Sequence, residues 1–213
     1  MCKFTTIILL CVAFSIFSTQ VSAQNADIAL LRSINGSNSS ALRDYSTFIS
    51  NTTTVVAAGT PLVMGAVALI EKDDELLKNA LYVGVSLGVN GVLTYGFKRA
   101  IGRPRPYITY PDIQNTSTET SNSFPSGHTS LAFTTATALS LKYPKWYVIA
   151  PSYFWACSVG YSRMNLGVHY PSDVLAGALL GAGSAYVTYK VNDWFWKKKE
   201  NKKLIGLNAY SHL

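Results

Sequence analysis

Apolar residues gather into long runs joined by short polar segments. Thr53–Ile70 and Asn79–Phe97 carry no charged side chain, and each approaches the ~20 residues that a membrane-spanning helix needs. Three further runs predict helices from about Thr129 to Leu141, Trp146 to Tyr161 and Val174 to Val191. The first of these is short for a span unless it extends through His128 or Lys142. Their Gly, Ala, Ser and Thr content allows close helix packing in a bilayer, although five buried helices of a soluble bundle fit the same runs. Upstream, Asp27–Ile34 and Ala41–Ile49 space Leu, Ile and Tyr at helical intervals, split by Asn35-Gly36 and a Ser/Asn run. They predict two short interfacial or surface helices.

Residues 1–23 have the form of a secretory leader, with Lys3, an apolar core from Phe4 to Phe17, and Val21-Ser22-Ala23 before Gln24. An uncleaved first transmembrane helix is the alternative. The fold class expected is all-α: a bundle of about five membrane-spanning helices, six if the leader is retained. The expected organisation is a leader or first span at 1–23, one domain at 24–196 and a basic tail at 197–213.

Composition supports a membrane. Charged residues make up 14% of the 213-residue chain, against about a quarter in soluble domains. The net charge of +7 is concentrated in Lys197, Lys198, Lys199, Lys202 and Lys203, directly after Trp194-Phe195-Trp196. A solvated tail and a cytoplasmic anchor both fit this cluster, and its place behind an apolar run favours the anchor. No nucleic-acid-binding signature accompanies the charge. Cys2 and Cys11 lie in the leader and Cys157 in an apolar run, so cleavage would leave no pair for an intramolecular disulfide.

The joints fall into two sets in an alternating bundle. Glu71–Lys78, Lys142–Lys145 and the Lys-rich tail share one side, together with Tyr143, Trp146, Trp194 and Trp196. That side is cytoplasmic under the positive-inside rule, with the aromatics as its interfacial belt. Lys98, Arg105, His128, Arg163 and His169 share the other, outward side, whether or not the leader is cleaved. Asn38, Asn51 and Asn115 head Asn-x-Ser/Thr sites on that side. The polar stretch Tyr107–Ser123 there is expected to be a solvated loop, with a substrate-gating loop as the alternative.

The outward joints carry the chemistry. Lys98 alone reads as a lysine at a helix end, and Arg105, in Gly102-Arg103-Pro104-Arg105-Pro106, as a loop arginine. Pro125-Ser126-Gly127-His128 precedes a helix. Gly127 allows close backbone approach to an anion, and the helix amides point at it. A capping serine beside an incidental histidine fits this segment equally. Arg163 can hold phosphate oxygens in pairs. His169 precedes Pro171, and Asp173 is near enough to accept its Nδ1 hydrogen and leave Nε2 free; taken alone, the pair also reads as a capping aspartate beside a solvated histidine. Together they supply cations, imidazoles and a carboxylate, the parts phosphoryl transfer needs. About eleven specified residues recur in fixed order, and at frequencies on the order of 5% each coincidence is negligible.

The pattern Lys98-x6-Arg105-Pro106, Pro125-Ser126-Gly127-His128 and Ser162-Arg163-x5-His169-x3-Asp173 resembles the type 2 phosphatidic acid phosphatase superfamily, which includes class A acid phosphatases and vanadium haloperoxidases. The resemblance implies a catalytic set of His169 as nucleophile forming a phosphohistidine, Asp173 orienting it, and His128 as general acid and then base. It implies phosphate binding by Lys98, Arg105, Ser126, Gly127 and Arg163. It further implies no metal or cofactor, with inhibition by orthovanadate, which resembles the five-coordinate transition state. Helix-end placement points to a membrane-lipid phosphate or diphosphate hydrolysed at the outer face of the cytoplasmic membrane. A soluble periplasmic acid phosphatase, a haloperoxidase and a non-catalytic scaffold are the alternatives.

Overall fold

The uncharged runs form long helices, each started by a capping group. In the computed structural model, which describes residues 25–36, 39–116 and 119–210 with side chains to residue 196, α1 comprises 25–36. There follow α2 (Ser40–Glu71), α3 (Asp74–Ile101), α4 (Pro106–Thr109), α5 (Gly127–Lys142), α6 (Trp146–Asn165) and α7 (Pro171–Tyr210). Ser39 caps α2 through the Leu42 N–H, and Asp73 caps α3 through the Glu75 and Leu76 N–H groups. The leader at 1–23, Asn38 and the lysine side chains of the basic tail lie outside the described residues.

Two expected boundaries are corrected. The predicted surface helix at 41–49 is the first part of α2 and runs unbroken into the apolar segment. The polar Ser50–Thr52 gap between the two expected elements is helical and faces the bundle in part, with Ser46, Ser50 and Thr53 buried. The last helix begins at Pro171 and does not stop at Val191; it continues through the lysines to Tyr210. Lys, Glu and Trp sustain a helix, and no proline follows Pro171 to end it.

Three helical stretches are long and apolar enough to cross a membrane: Ser40–Glu71, Asp74–Thr109 and Pro171–Trp196. Their apolar side chains face outward, among them Val55, Leu62, Leu81, Val92, Leu175 and Leu179, while Ser86, Asn90, Thr94 and Ser184 are buried. This polarity is the reverse of a soluble bundle's and suits a lipid surround. The expected third span, α5, extends through both His128 and Lys142 yet has only 16 residues. It needs no lipid-facing surface, because α2, α3, α6 and α7 all pack against it. Its buried positions are Thr, Ser and Ala, which hydrogen-bond across helices: Thr94 to Ser130 at 3.0 Å, Ser130 to Asn90, and Thr134 to the Gly181 carbonyl at 3.2 Å. A hydrogen bond of this kind contributes about 0.6 kcal/mol.

The two-sided sorting of the joints is visible in contacts. At one end Asn79 donates to Tyr143, Lys78 lies over the Trp196 ring, and Lys142 lies over Tyr82 and Tyr189. At the other end lie the 102–126 connection, the 166–170 connection and α1.

Candidate active site

Lys98 occupies the last turn of α3. Its ammonium donates to the Asn122 carbonyl, and Asn122 Nδ2 donates back to the Lys98 carbonyl at 2.8 Å, tying the 107–123 segment to the helix end. The turn that follows brings Arg105 inward, and Pro106 starts α4. Only 2% of Arg105 is exposed. It donates to the Ser121 carbonyl (2.8 Å), the Ser121 hydroxyl (3.2 Å) and the Val168 carbonyl (3.0 Å). Its Nη1 also lies 3.3 Å from His169 Nε2.

Ser126 stands immediately before α5. Its N–H donates to the Asp173 carbonyl at 3.0 Å and its hydroxyl pairs with Thr129 at 2.9 Å. Gly127 faces α3, where an added Cβ would meet Lys98 Cε at 3.8 Å. His128 lines a cavity of about 130 Å³ with Ser50, Asn51, Glu119, Arg163 and others. Arg163, at the end of α6, donates to Ser50 at 2.6 Å and to Glu119. Its Nε is buried without a hydrogen-bond partner, a costly state for a guanidinium that an anion in the cavity would relieve.

The turn from α6 to α7 depends on Gly167, which has φ +71°; a Cβ there would collide with the Gln114 carbonyl. Beyond it His169 is 1% exposed. Its Nδ1 faces Asp173 Oδ2 at 3.5 Å and Ser123 Oγ at 3.4 Å. Asp173, fully buried, accepts from the Ser123 hydroxyl at 2.5 Å and the Tyr170 N–H at 3.0 Å through Oδ2, and from Arg103 at 2.7 Å through Oδ1. Arginine can only donate, so its contact with Nε2 requires the lone pair there and puts the imidazole hydrogen on Nδ1.

Burial pushes the His169 imidazole down to about 3; Asp173 opposes this, and Arg163 and Arg105 reinforce it. Burial pushes the Glu119 carboxyl up, but Arg163 above all, with Arg105 and His128, holds it below its usual range. His169 is therefore neutral and Glu119 charged near neutral pH. Among the described residues no group of three or more His, Cys, Asp or Glu comes together as a metal site.

The eight residues singled out in sequence thus meet at one end of the bundle. Glu119, Ser121, Ser123, Ser50 and Arg103 join them without a sequence signal of their own. The 107–123 stretch is accordingly not a plain solvated loop: Ser123 is buried and Glu119 reaches the two arginines. Of its two acidic residues, Asp112 pairs with Arg32 and Glu119 with Arg163 and Arg105, so charge alone did not single out Glu119.

The PAP2 superfamily pattern matches residues 79–197. Among curated relatives, the lipid A 1-phosphatase of Rhizobium johnstonii is 34% identical over 114 residues, 50% of this chain and 45% of that protein. The chain spans about half the length of the curated relatives it matches. Two crystal structures share the fold. LpxE of Aquifex aeolicus has a TM-score of 0.67 at 28% identity, covering 78% of this chain and 95% of that one. A transmembrane PAP2-type phosphatidylglycerolphosphate phosphatase from Bacillus subtilis has 0.68 at 26% identity, covering 81% and 87%.

Proposed function

This chain belongs to the PAP2 superfamily, and from that premise we propose that it is a membrane phosphatase removing phosphate from a lipid monoester or diphosphate through a phosphohistidine. One observation carries the reading: His169 presents Nε2 to a guanidinium while its Nδ1 faces a buried carboxylate. A neutral imidazole in this tautomer is a nucleophile aimed at the place where cations would hold phosphate.

The transfer proceeds in two steps. His169 Nε2 bonds to phosphorus as the phosphorus–oxygen bond to the lipid breaks, and His128 gives its proton to the departing oxygen. Asp173 and Ser123 stabilise the positive charge that appears on the ring. His128 then takes a proton from water, whose oxygen bonds to phosphorus as the N–P bond breaks. The products are inorganic phosphate and the lipid alcohol or monophosphate. Arg105, Arg163 and Lys98 balance the phosphoryl oxygens, with the Gly127 end of α5 beside them. Their charges do the work a metal would otherwise do.

Helix-end placement supports a lipid substrate at headgroup depth. The Lys and Trp residues at the opposite end favour that end as cytoplasmic, so the site would face the outside of the cytoplasmic membrane. The outward apolar faces count against the soluble alternative. Candidate substrates are the lipid A phosphate and phosphatidylglycerol phosphate of the relatives' names, phosphatidic acid, and polyprenyl diphosphates.

The test presents these lipids in mixed micelles with excess EDTA and measures phosphate release. Acid-labile, base-stable label on the protein after a rapid quench with ³²P-substrate is the expected intermediate. Release that stops with EDTA and returns with a divalent metal would refute the metal-free route; turnover without trapped label on His169 would refute the covalent one.

A further inference from the structure

Arg103 lies two residues before Arg105 and is not among the residues lining the cavity. Its Nη1 donates to Asp173 Oδ1 and to Ser172 Oγ, both at 2.7 Å, and its Nη2 donates to Asp27 Oδ2 at 2.8 Å. The guanidinium sits over the Tyr170 ring, 3.8 Å from its centroid. Asp27 comes from α1. It accepts the Ser172 N–H at 2.8 Å and the Ser172 hydroxyl at 2.5 Å, so it caps the first turn of α7 as well.

Asp173 is therefore held from two sides. Ser123 and the Tyr170 N–H fix Oδ2, the oxygen that faces His169, while Arg103 holds Oδ1. Without Arg103, a fully buried carboxylate loses its ion-pair partner and the anchor on Oδ1, which favours rotation away from His169. The forked guanidinium serves two carboxylates at once, a task a single ammonium does not reproduce.

We propose that Arg103, clamped between Asp27 and Asp173, is a positioning residue that fixes the carboxylate orienting His169 and couples the N-terminal helix to the nucleophile. This rests on the phosphatase reading above. The groups facing His169 are Asp173 from α7, Arg163 from α6, and Arg105 and Ser123 from the 102–126 connection. Arg103 offsets Asp173 in that set, so its loss leaves more negative charge beside the imidazole and makes it easier to protonate.

The experiment uses the full chain in detergent micelles with dioleoyl phosphatidate and compares wild type, R103Q, R103K, D27N and D27N/R103Q. R103Q should lower kcat by about 10- to 100-fold, the range known for outer partners that fix metal-bound histidines. KM should change far less, and the acid limb of kcat/KM should move to higher pH. R103K should recover only part of kcat. D27N should give a smaller loss of the same kind, and the double variant should be no worse than R103Q. A folded R103Q with wild-type kcat and an unmoved acid limb would overturn the proposal, as would a loss confined to KM. If R103Q does not fold, D27N decides alone, and wild-type kcat and pH profile in it overturn the proposal. A wild type that releases no phosphate from any lipid tested sinks the phosphatase reading and this inference with it; an active wild type matched by its variants sinks this inference only.

Discussion

The Glu119 carboxylate sits on the Arg163 guanidinium, and its other oxygen lies 3.7 Å from Arg105 Nη2. A carboxylate from the 107–123 segment thus occupies the arginine pair proposed to hold phosphate, and His169 behind it is buried. On the proposed mechanism an incoming phosphate has to displace Glu119 from these arginines. E119Q keeps the shape and removes the competing charge. Its KM and its orthovanadate inhibition constant should fall by about tenfold, equivalent to about 1.4 kcal/mol. Steady-state kinetics with and without vanadate measure both, and a KM that stays level or rises would remove Glu119 from the role of competitor.

H169A should lose turnover by on the order of a million-fold, as removal of a nucleophile from a cooperating set does. The protein should remain in the membrane fraction with wild-type helicity, because the bundle core lies along α5 and not at this turn. Full phosphate release by folded H169A would end its assignment as nucleophile.

The long elements were legible because an uncharged run approaching ~20 residues is long enough for a helix to cross a bilayer, where the backbone must satisfy itself. Asn79–Phe97 and Trp146–Tyr161 lie wholly inside α3 and α6, which extend the 19- and 16-residue runs to 28 and 20 residues. The gap at Ser50–Thr52 misled, because the polarity of Ser50 answers to Arg163 rather than to water. The motif residues were legible through fixed spacing. Glu119, Ser123 and Asp27 were not, since their contacts join positions 44 to 76 residues apart and leave no local period. Arg103 was in view within the Gly102–Pro106 turn, but nothing in the sequence distinguished its direction from that of Arg105.

The pH profile should carry the mark of His169. Burial together with Arg163 and Arg105, outweighing Asp173, lowers the imidazole from 6.5 to about 3. On the proposed mechanism the attacking form is the neutral one, so activity should be kept as pH falls through 6.5 and lost only well below it. kcat/KM, corrected for the substrate's own ionisation, should hold down to about pH 5. The same difference works on stability: the unfolded chain binds a proton near pH 6.5 that the folded site excludes, so the fold weakens as pH drops below that value. An acid limb centred at 6.5 would show that His169 is not shielded in the working enzyme.

The contact of α5 with α7 supplies a test of the bundle itself. An added Cβ on Gly181 would collide with the Ser130 carbonyl and approach Phe133 Cβ at 3.1 Å, and one on Gly177 would lie 2.6 Å from the Ser126 carbonyl. Gly183, on the same helix, has open space around it. Both crowded partners are backbone atoms of α5 or its cap, which cannot swing aside as a side chain can. G181A should therefore cost about 1–3 kcal/mol through overpacking, read as a lower Tm in detergent, while G183A should match wild type or exceed it by helix propensity. G177A should cost kcat beyond its effect on Tm, because Ser126 leads directly into Gly127 and His128. Equal Tm values for G181A and G183A would mean that α7 does not approach α5 this closely, and the backbone link from Asp173 to Ser126 would lose its support.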